Sequence, residues 1–231
     1  LQIIPNSISQ EYDGDTNVDN ANSYITGSYI DLGNNNHVDF TYDPTTVTAD
    51  FVTAGSGTTN AGAGSGKDVT FSLSGITIPA AVLANFDWDP SDAPTVPNGS
   101  IAINRTFAGI GEVTPRAIYA TINNPTVSKT YNAKNDVLDS AGNPISADGL
   151  VSFSRLDDTA AFVGGTSNTS SAVYTDNNKG TDKFVEYTIS VSDGANYNIY
   201  YNQGDVNGAN YTTTDTNGNS VTAVGYTGIV E

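Results

Sequence analysis

The sequence predicts an all-β protein made of two tandem repeat domains, each a β-sandwich (Ig-like) or a β-grasp-like fold. Two observations lead to this expectation. Short runs of alternating apolar and polar residues are separated by turn-forming segments, and four sequence blocks recur in the same order in both halves. The length of 231 residues and the 37% hydrophobic fraction, rich in tyrosine, suit two medium-sized β domains.

The strand signals are of the half-buried type. Between 37 and 42, Val38, Phe40 and Tyr42 alternate with polar residues, as expected for a strand with one face in a core. The same alternation recurs at 68–73, 101–107 and 184–191. Segments rich in Gly, Asn and Asp, such as 33–36 and 139–144, are typical of turns, and only 78–84 indicates a helical turn. Many short strands between turns favour an all-β domain.

The internal repeat is defined by four blocks. Tyr12 aligns with Tyr131 at an offset of 119, and Lys67 aligns with Lys183 at an offset of 116. The segment 84–88 aligns with 195–199 at an offset of 111, and 109–112 aligns with 228–231 at 119. Since the order is kept with small insertions, the sequence predicts domains at 1–115 and 116–231, joined at Pro115.

These blocks resemble the signposts of a known repeat family. Lys129-Thr-Tyr-Asn-Ala133 and Gln10-Glu-Tyr-Asp-Gly14 resemble its K-x-Y-D-G motif. The segments 180–183, 194–197 and 111–116 resemble its G-T-x-K, G-x-x-N-Y and I-T-P-K/R motifs. The chain is therefore similar to the YDG-type repeat domains of bacterial cell-surface adhesins and haemagglutinin-like proteins. The resemblance implies a fold and a surface location, but no ligand.

The charge excludes some partners. Eight Lys and Arg stand against 25 Asp and Glu, which gives a net charge of −17. We therefore expect no nucleic-acid partner, because phosphate binding needs a basic footprint. No segment approaches the roughly 18 consecutive apolar residues of a membrane span, so we expect no membrane insertion.

The composition also indicates a location. The absence of Cys, the low content of Lys and the high content of Asn, Thr, Gly and Asp are typical of an extracellular bacterial surface protein that lacks disulfides. A segment that begins at Leu1 without a signal-peptide pattern reads as a piece of a longer, cell-wall-anchored parent protein. We expect this piece to be a monomer.

One loop has the residue types of a calcium site. Asp13, Asp15, Asn17 and Asp19 recur at every second position, and Ca²⁺ takes six to eight oxygen ligands with tolerance for irregular geometry. Without the Gly and Glu positions of an EF-hand, the alternative is a solvated turn. The sequence otherwise predicts no cofactor.

Lys67 and Lys183 each lie in phase with the apolar face of a predicted strand. One interpretation is an intramolecular isopeptide bond to an Asn or Asp side chain. The alternative is a strand-end lysine whose stem packs on the core while the ammonium reaches water.

A weak ligand-binding candidate is formed by Asp87, Trp88 and Asp89, because an aromatic ring between carboxylates can stack on a sugar ring. The alternative is core packing.

Catalytic motifs are absent around His37, the single histidine, and we expect no enzyme. The predicted function is a stalk or spacer of an adhesin. The alternative is an adhesive module for host glycans or extracellular matrix proteins, with calcium as an optional cofactor.

Overall fold

The chain divides into two compact units, Leu1–Thr114 and Pro115–Glu231. The structure is a computed structural model. It describes residues 1–79, 82, 102–122, 127–138, 141–144, 151–157, 159–164, 166, 168–201 and 220–230. The described residues form strands and short 3-10 turns, so the prediction of an all-β fold is confirmed. None of the helical segments among them reaches the length and apolar character of a membrane-spanning helix.

Unit 1 contains two sheets. A four-stranded sheet has the order β2-β7-β6-β5, and a three-stranded sheet has the order β1-β3-β4. The strands are β1 (Gln2–Pro5), β2 (Ile8–Glu11), β3 (Ile25–Gly33), β4 (Asn36–Asp39), β5 (Thr48–Val52), β6 (Gly64–Leu73) and β7 (Ile103–Thr114). Two 3-10 turns cover Ala21–Tyr24 and Pro44–Thr46.

Unit 2 also contains two sheets, with the orders β9-β14-β12-β11 and β10-β8-β13. The strands are β8 (Arg116–Ile122), β9 (Val127–Lys129), β10 (Val151–Ser154), β11 (Asn168–Tyr174), β12 (Gly180–Val191), β13 (Tyr197–Tyr201) and β14 (Ser220–Val230). A 3-10 turn covers Gly194–Asn196.

The four-stranded sheets of the two units have the same construction. In each, a short strand near the start of the unit runs parallel to the last strand, and the other two pairings are antiparallel. Ile8 pairs with Gly111 in unit 1, and Val127 pairs with Gly228 in unit 2. The register shifts also correspond, since they fall around Lys67 in β6 and around Lys183 in β12.

The cores lie beneath the alternating strands that the sequence indicates. In β6 the side chains of Val69, Phe71 and Leu73 are buried, with the intervening residues more exposed. In β12 the buried set is Val185, Tyr187, Ile189 and Val191. Both predictions of inward faces are confirmed. Because apolar burial contributes about 25 cal/mol per Å² of area removed from water, these strands supply each unit with its own stabilising core.

Candidate functional site

The loop after β2 is organised by the side chain of Gln10. Its Nε2 donates to Asp13 Oδ2 at 3.2 Å and to the Asn17 carbonyl at 3.2 Å. Its Oε1 accepts the backbone N–H of Asp19 at 2.9 Å. The loop therefore wraps around one amide side chain, which satisfies backbone groups that have no partner within a strand.

The two carboxylates at the centre of this loop accept backbone hydrogen bonds. Asp13 Oδ1 accepts the N–H of Asp15 at 2.9 Å. Asp15 Oδ1 accepts from the N–H groups of Thr16 and Asn17 at 2.7 and 3.2 Å. The bonds from Asn17 and then Thr16 hold the pKa of Asp15 below its usual value, because they favour the charged form.

The structure gives the calcium prediction for this loop no further support. Among the described residues, no cluster of three or more His, Cys, Asp or Glu side chains has the arrangement of a metal site. The oxygens of Asp13 and Asp15 point toward N–H donors of the same loop. A Ca²⁺ site at Asp13, Asp15, Asn17 and Asp19 stays a prediction.

In unit 2 the corresponding loop is organised by a buried ammonium. Lys129 Nζ donates to Asn132 Oδ1 at 3.0 Å, to the carbonyl of Lys134, and to Asp136 Oδ1 at 2.9 Å. Its side chain is only 1% exposed, and the ammonium lies 5.1 Å from the centre of the Tyr174 ring. Three oxygens and one aromatic face thus surround a charge that burial would otherwise disfavour.

The two loops are equivalent position by position at the offset of 119. Gln10 corresponds to Lys129, and Asp13 corresponds to Asn132. The turn bond from Asp15 N–H to Asp13 recurs as a bond from Lys134 N–H to Asn132 Oδ1 at 3.0 Å. The loops therefore have one construction, with a neutral donor at its centre in unit 1 and a cationic donor in unit 2.

The loops are also joined to the sheet in the same way. In unit 1 the N–H of Phe51, on β5, donates to the Thr16 carbonyl at 2.8 Å. In unit 2 the N–H of Tyr174, on β11, donates to the Asn135 carbonyl at 2.7 Å. Phe51 and Tyr174 are both fully buried, so each loop closes one end of a core.

The lysines singled out for an isopeptide bond have different surroundings. Lys67 is 6% exposed, and its Nζ donates to the backbone carbonyl of Asn60 at 3.4 Å. Burial lowers its pKa. Lys183 Nζ lies 2.6 Å from Asp176 Oδ1, and this hydrogen bond lowers the pKa of the Asp176 carboxyl. The partner of Lys67 is a backbone atom, whereas Lys183 forms an ion pair whose carboxylate is half exposed.

A second candidate surface lies on the outward face of the sheet β10-β8-β13. Tyr119 is the register partner of Ser154 on one side and of Tyr200 on the other. The two tyrosine rings are 5.6 Å apart between centres, with their planes inclined by 31°. Tyr200 is 47% exposed, while Ile118 and Ala120 face the core. The outward positions 117, 119, 121, 152, 154, 198 and 200 hold only uncharged residues.

Sequence reasoning did not identify Lys129 or Tyr119 as functional candidates. The sequence signal for Lys129 is its position two residues after Val127, in the same phase of a short strand, with the acidic residue Asp136 seven residues later. The signal for Tyr119 is weaker, because its contact with Tyr200 depends on a pairing between residues 81 positions apart (200 − 119). The candidates Asp87, Trp88 and Asp89 lie outside the described residues.

Comparisons with known proteins find no relative: no family model matches, and neither does any curated protein or solved structure. The resemblance to YDG-type repeats therefore rests on the quoted motifs alone.

Proposed function

We propose that this chain is a non-catalytic stalk or spacer segment of a bacterial cell-surface adhesin, built from two copies of one YDG-like β domain. The observation that supports it most is the shared four-stranded sheet of the two units, with the same strand order and the same parallel pairing. Repetition of a self-contained unit lengthens a chain without a new core, since the stability of each unit depends mainly on its own residues.

The acidic surface suits this role. The net charge of −17 comprises 2 − 13 = −11 in residues 1–114 and 6 − 12 = −6 in residues 115–231. Neighbouring stalks of the same sign repel one another, which keeps a dense array soluble and separated. No catalytic arrangement is needed for this function, and we assign no residue a catalytic role.

The stalk is tested by binding measurements on the full chain against arrays of glycans and extracellular matrix proteins, with calcium and then with EDTA. The proposal expects no saturable binding in either condition. A saturable signal would contradict it and would favour the second candidate function.

That second candidate is an adhesive module for neutral glycans, and the Tyr119–Tyr200 pair favours it. Sugar rings stack on aromatic faces, and hydroxyl side chains such as Ser154 can hydrogen-bond their hydroxyl groups. An uncharged face on a strongly acidic chain favours a neutral sugar over an acidic one.

A matched pair of variants tests whether the face with Tyr119 and Tyr200 binds the glycan. If the array detects a glycan, Tyr200→Ser should abolish its binding. Tyr131→Ser should leave it unchanged, because Tyr131 is equally exposed but lies in the loop after β9. Equal loss in both variants would exclude the tyrosine face as the site.

A further inference from the structure

In each unit, the second strand runs parallel to the last strand and is paired with it. In unit 1, β2 runs parallel to β7, with Ile8 opposite Gly111 and Glu11 opposite Thr114. The hydrogen bond from Tyr12 N–H to the Thr114 carbonyl, at 2.8 Å, continues the ladder by one residue. Chain entry into β2 and chain exit from β7 therefore lie at opposite ends of one short ladder.

Tension along the chain acts on this ladder lengthwise. A pull toward the start of the chain acts at Ile8 once β1 has separated from β3, and a pull toward the end acts at Thr114. Because hydrogen bonds in a sheet lie across the strands, a lengthwise pull strains all of them together. The two strands cannot separate until the whole overlap of four register pairs slides.

The hairpin β5–β6 of the same unit would respond differently. Its register runs from Thr48–Ser72 at the open end to Val52–Asp68 near the turn, which makes five pairs. A pull that separates Thr48 from Ser72 opens these pairs one at a time. The hairpin has five register pairs and the β2–β7 ladder has four. A lower opening force for the hairpin would therefore come from the direction of the pull and not from the number of bonds.

Unit 2 repeats the pairing, and a pull toward the start of the chain reaches β9 through β8, which pairs with β10 and β13. Strand β9 runs parallel to β14, with Val127 opposite Gly228 and Lys129 opposite Val230. The end of the first strand is tied down in both units, by the Gln10 side chain in one and by the Lys129 ammonium in the other. These bonds connect the strand to its following loop, which is itself bonded to β5 in unit 1 and to β11 in unit 2.

We propose that the parallel ladders β2–β7 and β9–β14 carry tension along the chain, so that each unit resists unfolding when the chain is pulled. The proposal deepens the stalk function and rests on it for its biological setting, since a surface adhesin is pulled when its target moves. The mechanical property itself follows from strand direction and register.

The test is single-molecule force spectroscopy on the full chain carrying Thr48→Cys and Ser72→Cys. The natural sequence has no cysteine, so the two thiols are unique handles. One measurement pulls this protein through tags at its two termini, and the other pulls the same protein through the two thiols. The natural sequence, pulled through its termini, controls for any effect of the substitutions.

We expect two unfolding events under terminal loading, at forces about fourfold (unit 1) and about threefold (unit 2) above that needed to open the hairpin. The reason is that four pairs break together in β2–β7 and three in β9–β14, whereas the pairs of β5–β6 break one at a time. Equal forces in the two directions would overturn the proposal. Equal forces would not contradict the proposed spacer function. Saturable ligand binding, in contrast, would contradict the spacer function without changing the measured forces.

Discussion

At the scale of single residues, Lys129 shows how a buried charge organises a loop. The side chain of Lys129 is almost completely buried, and its ammonium donates to three oxygens of the same loop. Unit 1 achieves a similar loop with the neutral amide of Gln10. A charge at this position is therefore one solution to satisfying the loop. Its removal takes one hydrogen bond from each of these oxygens, while Asn132 Oδ1 and Asp136 Oδ1 keep their bonds from Lys134 N–H and Asn132 Nδ2.

We predict that Lys129→Met destabilises unit 2 by about 1–3 kcal/mol, because Asp136 and the Lys134 carbonyl lose hydrogen bonds from a charged donor. The measurement is urea unfolding of the full chain followed by far-UV circular dichroism. The transition of unit 2 should shift, and that of unit 1 should not.

Lys134→Met is the matched control for this prediction. Lys134 lies in the same loop but is exposed, and its contribution to the cluster is a backbone carbonyl, which the substitution keeps. Its effect should stay within about 0.5 kcal/mol. An equal effect of the two substitutions would mean that the buried ammonium does not organise the loop.

The same cluster predicts a dependence on pH. Hydrogen bonds from Lys129 and then Asn132 lower the pKa of Asp136 in the folded state. A lowered folded-state pKa adds stability above the unfolded-state value of about 4, and this stability is lost as the pH falls through the folded-state value. The stability difference between the natural sequence and Lys129→Met should therefore narrow below pH of about 4. A constant difference from pH of about 7 to 3 would contradict the assignment.

The buried Tyr174 leads to a prediction about tyrosine ionisation at alkaline pH. Burial, and then repulsion from Tyr187, raise the pKa of Tyr174 to about 12. Its phenol should therefore stay neutral in the folded chain while exposed tyrosines ionise near pH of about 10. Tyr174→Phe should leave the tyrosinate absorbance unchanged up to pH of about 11 and lower the final amplitude by one tyrosine in 13. A smaller absorbance near pH 10 in the folded variant would show that Tyr174 ionises normally.

At the scale of elements, the close contact between β7 and its neighbours depends on a glycine. A Cβ at Gly111 would lie 2.8 Å from Val69 Cγ2 and 3.0 Å from Phe51 Cδ1. Both neighbours are fully buried, so neither can move away without disturbing the core. Gly111 is also the residue where β7 meets Ile8 of β2 in the parallel ladder.

We predict that Gly111→Ala destabilises unit 1 by about 1–3 kcal/mol through overpacking, measured as a shift of the unit 1 transition in urea by far-UV circular dichroism. Gly27→Ala is the control. Its Cβ would come no closer than 3.2 Å to the tip of the exposed Ile4 side chain, which can turn aside. If Gly27→Ala costs as much as Gly111→Ala, close packing around the ladder is not the cause.

The strands that alternate most clearly are those that the sequence predicts best. The inward faces of 68–73 and 184–191 follow directly from the period of two, because each strand has one face in a core. The run 37–42 is predicted less well, since β4 ends at Asp39 and the buried Phe40 follows it. There a short hairpin with β3 ends before the alternation does.

At the scale of the whole molecule, the sequence predicts repetition but not the long-range strand pairings. The parallel contact between β2 and β7 joins residues about a hundred positions apart, and no local pattern encodes it. The Lys129 cluster escaped prediction for a related reason, because a lysine in phase with a strand has the same local pattern whether its ammonium is buried or exposed.

The charge of the chain leads to a last prediction, which also tests the calcium loop. Unit 1 has the larger net charge, −11 against −6, so sodium chloride should raise its melting temperature more than that of unit 2 by screening self-repulsion. Calcium and magnesium at equal concentration should then have equal effects, because the oxygens of Asp13 and Asp15 already accept N–H donors. A melting temperature that calcium raises further than magnesium would contradict this expectation, since a ligand that binds only the folded state stabilises it. Loss of that excess in Asp15→Asn, but not in Asp31→Asn, would place the ion in the loop.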